Sequence, residues 1–357
     1  MSQKTICFYP TNQKRTNHFL YNLSSLLESS GMFKCVGYKE IKKESPRQLF
    51  SADVYHINWF DQSKDIVSFV KRLYFLIALK LKKKKIVWTV HNITSHEKTP
   101  FYNKILFRAL VRFSDKIHIM CKQTIEIAHL EKYASKVLLI PHGDYYGSYP
   151  ASNFDIYKRY GIDRRKPIFL FSGAIQPYKN IEVLIKSFQK NWNGDCLDDS
   201  SPVLLICGKV EPVSYKDSIQ RLLVDAKDIV FDPQFVPDEN ISAYIKTAAV
   251  LIAPYSYRSS LNSGTIPLAF SYGKTIVCPD IPCVKDVVAE SDCLYSYHYE
   301  SENDHVDVLS KMMLQVYSDY NSGKILAKQH DAVSYMQRNS WKAHEKEWIS
   351  LYGEASC

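Results

Sequence analysis

The chain is expected to fold as two doubly wound, Rossmann-like α/β domains facing a cleft, and three observations predict this. Its 357 residues exceed one ordinary domain and suit two. Short, continuously apolar runs of strand length alternate with stretches whose apolar residues recur at helical spacing, the pattern of parallel sheets covered on both faces. That alternation breaks once, in a segment rich in Pro, Gly, Ser, Asp and Tyr, and then restarts. At 46% hydrophobic and 23% charged residues, the composition supplies full cores and does not resemble a disordered chain.

In order, the first half offers strand-like runs at 5–9, 33–38, 53–59, 86–91, 116–121 and 136–140. Phe19, Leu20, Leu23, Leu26 and Leu27 mark a helix after the first of these, and Gly31 stops it. The break at 141–153, followed by Asp163-Arg164-Arg165-Lys166-Pro167, reads as the linker. Strands resume at 168–173, 203–207, 228–231, 250–254 and 275–278, with helices at 180–190, 214–224, 240–248 and 265–272. The tail from His305 is helical, with a last segment starting at Ser340-Trp341. The expected domains are 1–150, 151–340, and a C-terminal helix, 341–357, packing back on the first.

The formal charge of +9 is unevenly placed. Lys71, Arg72, Lys80 and Lys82 to Lys85 surround the apolar run 73–79, and a second basic, aromatic stretch occupies 101–113. Two readings stay open: these helices lie on an anionic membrane surface, or their apolar stripes pack on a sheet while the lysines sit in water. No nucleic-acid-binding motif accompanies the charge, so no nucleic-acid partner is expected. Nine cysteines without a CxxC pair read as reduced, mostly buried thiols and a cytoplasmic chain. No signal peptide is read before the strand at Thr5. The longest apolar stretch falls short of the ~20 residues a spanning helix needs. The expected location is the cytoplasm, peripherally at the inner face of the plasma membrane.

Parallel sheets bind phosphates where a strand ends in glycine and a helix begins. Two loops fit. In Phe171-Ser172-Gly173-Ala174-Ile175-Gln176-Pro177-Tyr178-Lys179-Asn180, Gly173 turns the chain off a strand and Lys179 offers an ammonium at the mouth of a helix, although a plain strand-turn-helix with a solvated lysine would read the same. After the strand at 250–253, a loop of hydroxyl, amide and glycine residues leads through Tyr255 to Ser263, Gly264 and Thr265 and a second helix. The unpaired amides there suit an anion, and capping by Ser263 alone would also account for them.

The first loop, extended through Ile181-Glu182-Val183-Leu184-Ile185, resembles the glycine-to-lysine donor loop of family 4-like GT-B glycosyltransferases. Residues 250–277 resemble their second donor motif, and Phe235-Val236-Pro237-Asp238-Glu239-Asn240 falls where they line a nucleobase pocket. The resemblance implies a GT-B fold and a nucleotide-sugar donor in the second domain, contacted by Gly173, Lys179, Tyr255, Ser263, Gly264 and Thr265. Ala174 stands where relatives often carry arginine, and Ser260 and Leu268 replace their paired glutamates, so no donor-contacting carboxylate is carried over.

In the first half, Trp88-Thr89-Val90-His91-Asn92-Ile93-Thr94-Ser95-His96-Glu97 places imidazoles just past a strand end. His91 resembles the family histidine that approaches the donor sugar. It is the expected catalytic residue, donating a hydrogen bond to a sugar hydroxyl or stabilising an oxocarbenium-like transition state. Asn92, His96 and Glu97 would face the acceptor, as would the amide-rich loop at 11–18, Asn17 included, unless that loop is ordinary surface. His142, in Ile140-Pro141-His142-Gly143-Asp144, is assigned to the donor; Asp144 reads equally as an acid–base group or a turn residue. The i, i+5 spacing of His91 and His96 does not put both on one helix face, and no Asp-x-Asp triplet appears, so neither a metal nor a cofactor is expected.

The combined expectation is a retaining, metal-independent glycosyltransferase. It would move a sugar to a glycan or lipid-linked acceptor in bacterial cell-surface polysaccharide assembly. An inverting enzyme would need a carboxylate base, with Asp144, Glu97 and Asp61 as candidates. A sugar-nucleotide epimerase or hydrolase, and a non-catalytic membrane-associated protein with a degenerate donor pocket, are the alternatives.

Overall fold

A computed structural model describes residues 3–14, 17–92, 100–192, 200–224, 226–257 and 261–353. The chain forms two units: residues 1–143 with 339–357, and residues 144–338. The division falls within the 141–153 break. The last segment starts two residues before the expected 341 and belongs to the first unit.

The apolar runs of the first unit become the strands β1 (Lys4–Tyr9), β2 (Phe33–Gly37), β3 (Val54–Asn58), β4 (Lys85–Thr89), β5 (Lys116–Ile119) and β6 (Val137–Leu139). All neighbours are parallel, in the order β2-β1-β3-β4-β5-β6. Strand order therefore reverses between β1 and β3, the place where doubly wound sheets open toward a ligand. β2 ends at Gly37, earlier than its apolar run suggested. A Cβ there would lie 1.8 Å from the Glu40 carboxylate, so the glycine lets a helix (Tyr38–Glu44) begin immediately.

In the second unit β7 (Ile168–Ser172), β8 (Val203–Cys207), β9 (Ile229–Asp232), β10 (Val250–Ile252), β11 (Ile276–Pro279) and β12 (Tyr295–Tyr297) form the order β12-β11-β10-β7-β8-β9, again all parallel. Its reversal lies between β7 and β10. β12, three residues long, and the helix Pro282–Glu290 before it are additions to the sequence expectation. Both are too short for their periodicity to stand out.

The C-terminal helix Glu345–Tyr352 docks on the first sheet because its apolar face is large. Trp348, Leu351 and Tyr352 are fully buried beside Phe19, Phe33 and Val87. Each such side chain contributes about 1.5–3 kcal/mol. Gly143 makes room for this return: a Cβ there would lie 2.2 Å from the Trp341 ring. Among the described residues no helix is long and apolar enough to cross a membrane, and seven cysteines are free thiols.

Candidate functional site

The first phosphate loop leaves β7 through Gly173, whose φ of +138° a side chain would resist. Its amide donates to Cys207 O, 3.1 Å away, and Ile175 N donates to Lys209 O at 2.8 Å, so the loops after β7 and β8 are knitted together. The contact is close enough to require a second glycine. A Cβ on Gly208 (φ +146°) would sit 1.9 Å from Gly173 O. Sequence reasoning missed Gly208, although Cys207-Gly208 repeats the strand-then-glycine signal of Ser172-Gly173.

Lys179 sits in a short 3-10 turn (Pro177–Lys179) rather than in the helix proper, which begins at Ile181. Asn180 links the two in the left-handed region at φ +52°, which asparagine tolerates better than most residues. The Lys179 ammonium lies 5.4 Å from the centroid of Tyr255, 5.8 Å from Phe171 and 6.0 Å from Tyr178. Burial pushes its pKa down. Among the described residues no carboxylate pairs with it. An ammonium ringed by aromatic faces, with no carboxylate beside it among the described residues, suits an anion.

The second loop meets the first directly. Ser256 N donates to Tyr178 O at 3.1 Å, and Tyr255, beneath Lys179, exchanges a 2.9 Å hydrogen bond with Thr265 Oγ1. Ser263 Oγ donates to the Tyr255 hydroxyl at 3.4 Å and accepts from Thr265 N at 3.3 Å. The Thr265 amide is thus used within the loop. The amides of Ser263 and Gly264 have no partner among the described residues. Tyr255 is buried, with its pKa pushed up to about 12 by desolvation, so it serves as a neutral pillar that ties Lys179 to Thr265. All six expected donor residues of this unit therefore converge at the reversal between β7 and β10. Ser260 lies outside the described residues, Leu268 is half-buried in its helix, and the exposed Phe235 precedes the helix Asp238–Thr247.

In the first unit His91 lies past the end of β4, beside the end of β3. Its Nε2 is 2.8 Å from Asn58 Oδ1. Because Asn58 Nδ2 donates to Tyr9 O and His56 O, that oxygen must accept, so His91 carries its proton on Nε2. The Nε2 proton is thereby engaged by Asn58. Burial and neighbouring histidines hold His91 well below the usual histidine range, so the ring is neutral. It stacks on Trp59, centroids 3.9 Å apart at 16°. Trp59 holds a left-handed φ of +50°, a strained conformation for a bulky residue. The Arg72 guanidinium donates to the carbonyls of Trp59, Phe60 and Gln62 and locks that turn. Arg72 thus faces inward and is no part of the basic surface. Asn58 and Trp59 went unnoticed in the sequence, where they read as the end of a strand.

Asn17 accepts from Leu20 N at 3.1 Å and caps the helix His18–Ser29. That helix presents Phe19, whose ring meets both His91 (5.4 Å) and His142 (4.9 Å). His142 belongs to this unit. Its Nδ1 donates to Gly143 O at 2.8 Å, and burial pushes its pKa down to about 4. Asn92 follows His91, half-buried; His96 and Glu97 lie outside the described residues. Asp144 accepts from Tyr146 N at 2.9 Å, the geometry of a turn aspartate. Burial raises the Asp61 carboxyl to about 6, against the opposing pull of Arg72.

Beneath His91 a fully buried polar chain crosses three strands. His118 Nε2 donates to Ile140 O (2.9 Å), so its Nδ1 accepts from Thr89 Oγ1 (3.0 Å). Thr89 then accepts from His56 Nε2 (2.7 Å), and His56 Nδ1 accepts from the Tyr352 hydroxyl (2.8 Å). Every proton has one consistent place, and both imidazoles are neutral. Among the described residues no group of three or more His, Cys, Asp or Glu could hold a metal ion.

The sequence profile of the family described as "Glycosyl transferases group 1" matches residues 153–331. The D-inositol 3-phosphate glycosyltransferase of Corynebacterium glutamicum is 25% identical over 201 residues, covering 55% of this chain and 45% of that one. The chain spans about half the length of the curated relatives it matches. Among solved structures, sucrose-phosphate synthase of Thermosynechococcus elongatus superposes with a TM-score of 0.71 and 13% identity, covering 98% of both chains. Anabaena HepE in complex with UDP-glucose gives 0.69 and 13%, again over 98% of both. At that identity the likeness is one of fold, and the fold is GT-B.

Proposed function

This chain belongs to the group 1 glycosyl transferases, and from that premise we propose that it transfers a sugar from a nucleoside-diphosphate donor to a glycan or lipid-linked acceptor in cell-surface polysaccharide assembly. The observation that carries the proposal is the Lys179 ammonium, desolvated among three aromatic rings with no carboxylate partner among the described residues, where two loops meet at a strand-order reversal. A diphosphate supplies the missing charge. Gly173 leaves the approach open, and the amides of Ser263 and Gly264 with the Thr265 hydroxyl supply donors. These groups stabilise the charge that grows on the leaving diphosphate as the sugar–oxygen bond breaks. UDP-glucose bound to Anabaena HepE, a protein of the same fold, supports a nucleotide-sugar donor.

In the retaining reaction we favour, the acceptor hydroxyl adds to the anomeric carbon on the face the diphosphate leaves. Its proton passes to a diphosphate oxygen, so no protein base is required. His91, neutral and just past the end of β4, is proposed to approach the donor sugar. Asn17, through the helix it caps, holds Phe19 beneath it; His142 is kept as a donor-side candidate, and Asn92, His96 and Glu97 as acceptor-side candidates. An inverting alternative would need a carboxylate base, and Asp61, raised by burial to about 6, is a candidate for it. The anomeric configuration of the product, read by NMR, separates the two.

We also propose peripheral attachment to an anionic membrane at the cytoplasmic face. The helix Ile66–Leu81 buries Phe75, Leu76 and Leu79, yet exposes Ile66, Val70, Tyr74 (71%) and Leu81 (79%) beside Lys71 and Lys82 to Lys84. An apolar stripe flanked by lysines suits a lipid interface.

A thermal-shift panel of UDP, GDP, ADP and CMP tests the donor reading. One diphosphate should raise the melting temperature by mass action. Failure of all four to shift it would sink the proposal. Turnover of donor without acceptor would point instead to an epimerase or hydrolase.

A further inference from the structure

A second cavity, of about 710 Å3, lies in the first unit between the helix Phe101–Phe113 and the segment from Ile127 to Tyr133. That helix contains no Asp or Glu, and Lys104, Arg108 and Arg112 recur every fourth residue, so they stack on one face, the face that lines the cavity. Like charges at this spacing repel, and among the described residues none of the three forms an ion pair. Lys132 adds a cation from the opposite wall. Two acids, Asp61 and Glu131, also line the space. Neither acid pairs with a cation of the helix face, and with Lys104, Arg108, Arg112 and Lys132 against these two carboxyls the lining is positive overall. Between the charges, Phe107 and the buried Val111 offer an apolar floor. Uncompensated cations above an apolar floor match a ligand with an anionic head and an apolar body.

We propose that this cavity binds the phosphate-bearing part of an amphiphilic acceptor, with its phosphate on the Lys104–Arg108–Arg112 face and its apolar chain on Phe107 and Val111. The inference rests on the glycosyl-transfer reading for the role of acceptor. Binding at the cavity is measured without turnover.

The probes are decyl phosphate, inorganic phosphate and neutral decyl maltoside, titrated by calorimetry below their micelle concentrations with UDP saturating the protein. Decyl phosphate is expected to bind at least about tenfold tighter than either of the others, and Arg108→Gln/Arg112→Gln to weaken it by about tenfold or more. Arg108→Lys/Arg112→Lys keeps both charges and should stay within about threefold of the parent, which guards against a variant that merely misfolds. Relief of repulsion should leave the melting temperature of the Gln pair no lower than the parent's. Equal affinity for decyl phosphate and decyl maltoside, or for decyl phosphate and inorganic phosphate, overturns the amphiphile. Unchanged decyl phosphate affinity in the Gln pair overturns the site. Failure of the parent protein to bind any of UDP, GDP, ADP and CMP would sink the donor reading and leave this one standing.

Discussion

Replacing Lys179 with Met separates a functional lysine from a structural one, because the two roles predict opposite signs. Methionine keeps the length of the stem and places a polarizable thioether among Tyr255, Phe171 and Tyr178, all within about 6 Å of the ammonium. The substitution removes a desolvated charge that no carboxylate among the described residues compensates. Against it stand the lost cation–π attractions, which at 5.4 to 6.0 Å lie near the outer limit of their range and are worth about 0.5–1 kcal/mol each. A net gain of about 1 kcal/mol in the unliganded protein is the expected balance. For a unit of this size it amounts to a rise of about 2–4 °C in melting temperature. The same substitution deletes a charge-assisted bond to phosphate of about 2–3 kcal/mol, which is roughly 30- to 150-fold in Kd for the nucleoside diphosphate. Differential scanning fluorimetry reads both numbers in one plate, with and without ligand. A variant that melts below the parent, or that keeps the parent's ligand-induced shift, would refute the reasoning.

Gly208→Ala forces a Cβ to 1.9 Å from a backbone oxygen at φ +146°, so a loss of at least about 3 kcal/mol is expected in chemical denaturation, together with the ligand shift. Gly161→Ala, at φ +66° with open space around it, should lose only about 1 kcal/mol; equal losses would disprove the contact argument. The buried histidines set an acid limit. His118 titrates at about 4 when folded and near 6.5 when unfolded, so the unfolded chain binds the proton first. The stability it confers is complete above about pH 6.5 and declines as pH falls toward 4, by about 2–3 kcal/mol at pH 4.5. His118→Gln should flatten the stability–pH profile across that window; parallel profiles would contradict the assignment. Tyr74→Ser/Leu81→Ser should cut co-sedimentation with anionic vesicles by about tenfold or more and leave UDP binding intact. Unchanged sedimentation would remove this helix from the membrane surface.

The alternation of apolar runs and helical periodicity sufficed for two parallel sheets. A buried parallel strand must be apolar on both faces, and that requirement is written residue by residue in segments such as Ile168–Ser172 and Val203–Cys207. Gly173 and Lys179 were legible for a similar reason, since a strand end, a glycine and a helix start are local features. What lay beyond the sequence depends on partners far apart along the chain. The need for Gly208 appears only when its neighbour Gly173 is placed against it. The proton on His91 is assigned only through Asn58, and the strained Trp59 matters because it stacks under that imidazole. The Tyr352–His56 bond spans 296 positions. The sequence marked 101–113 only as a basic, aromatic stretch; that its Lys104, Arg108 and Arg112 line a cavity, while Arg72 donates to three carbonyls, was decided by packing. Periodicity reports which face of an element is buried, and only the folded backbone reports what that face is buried against.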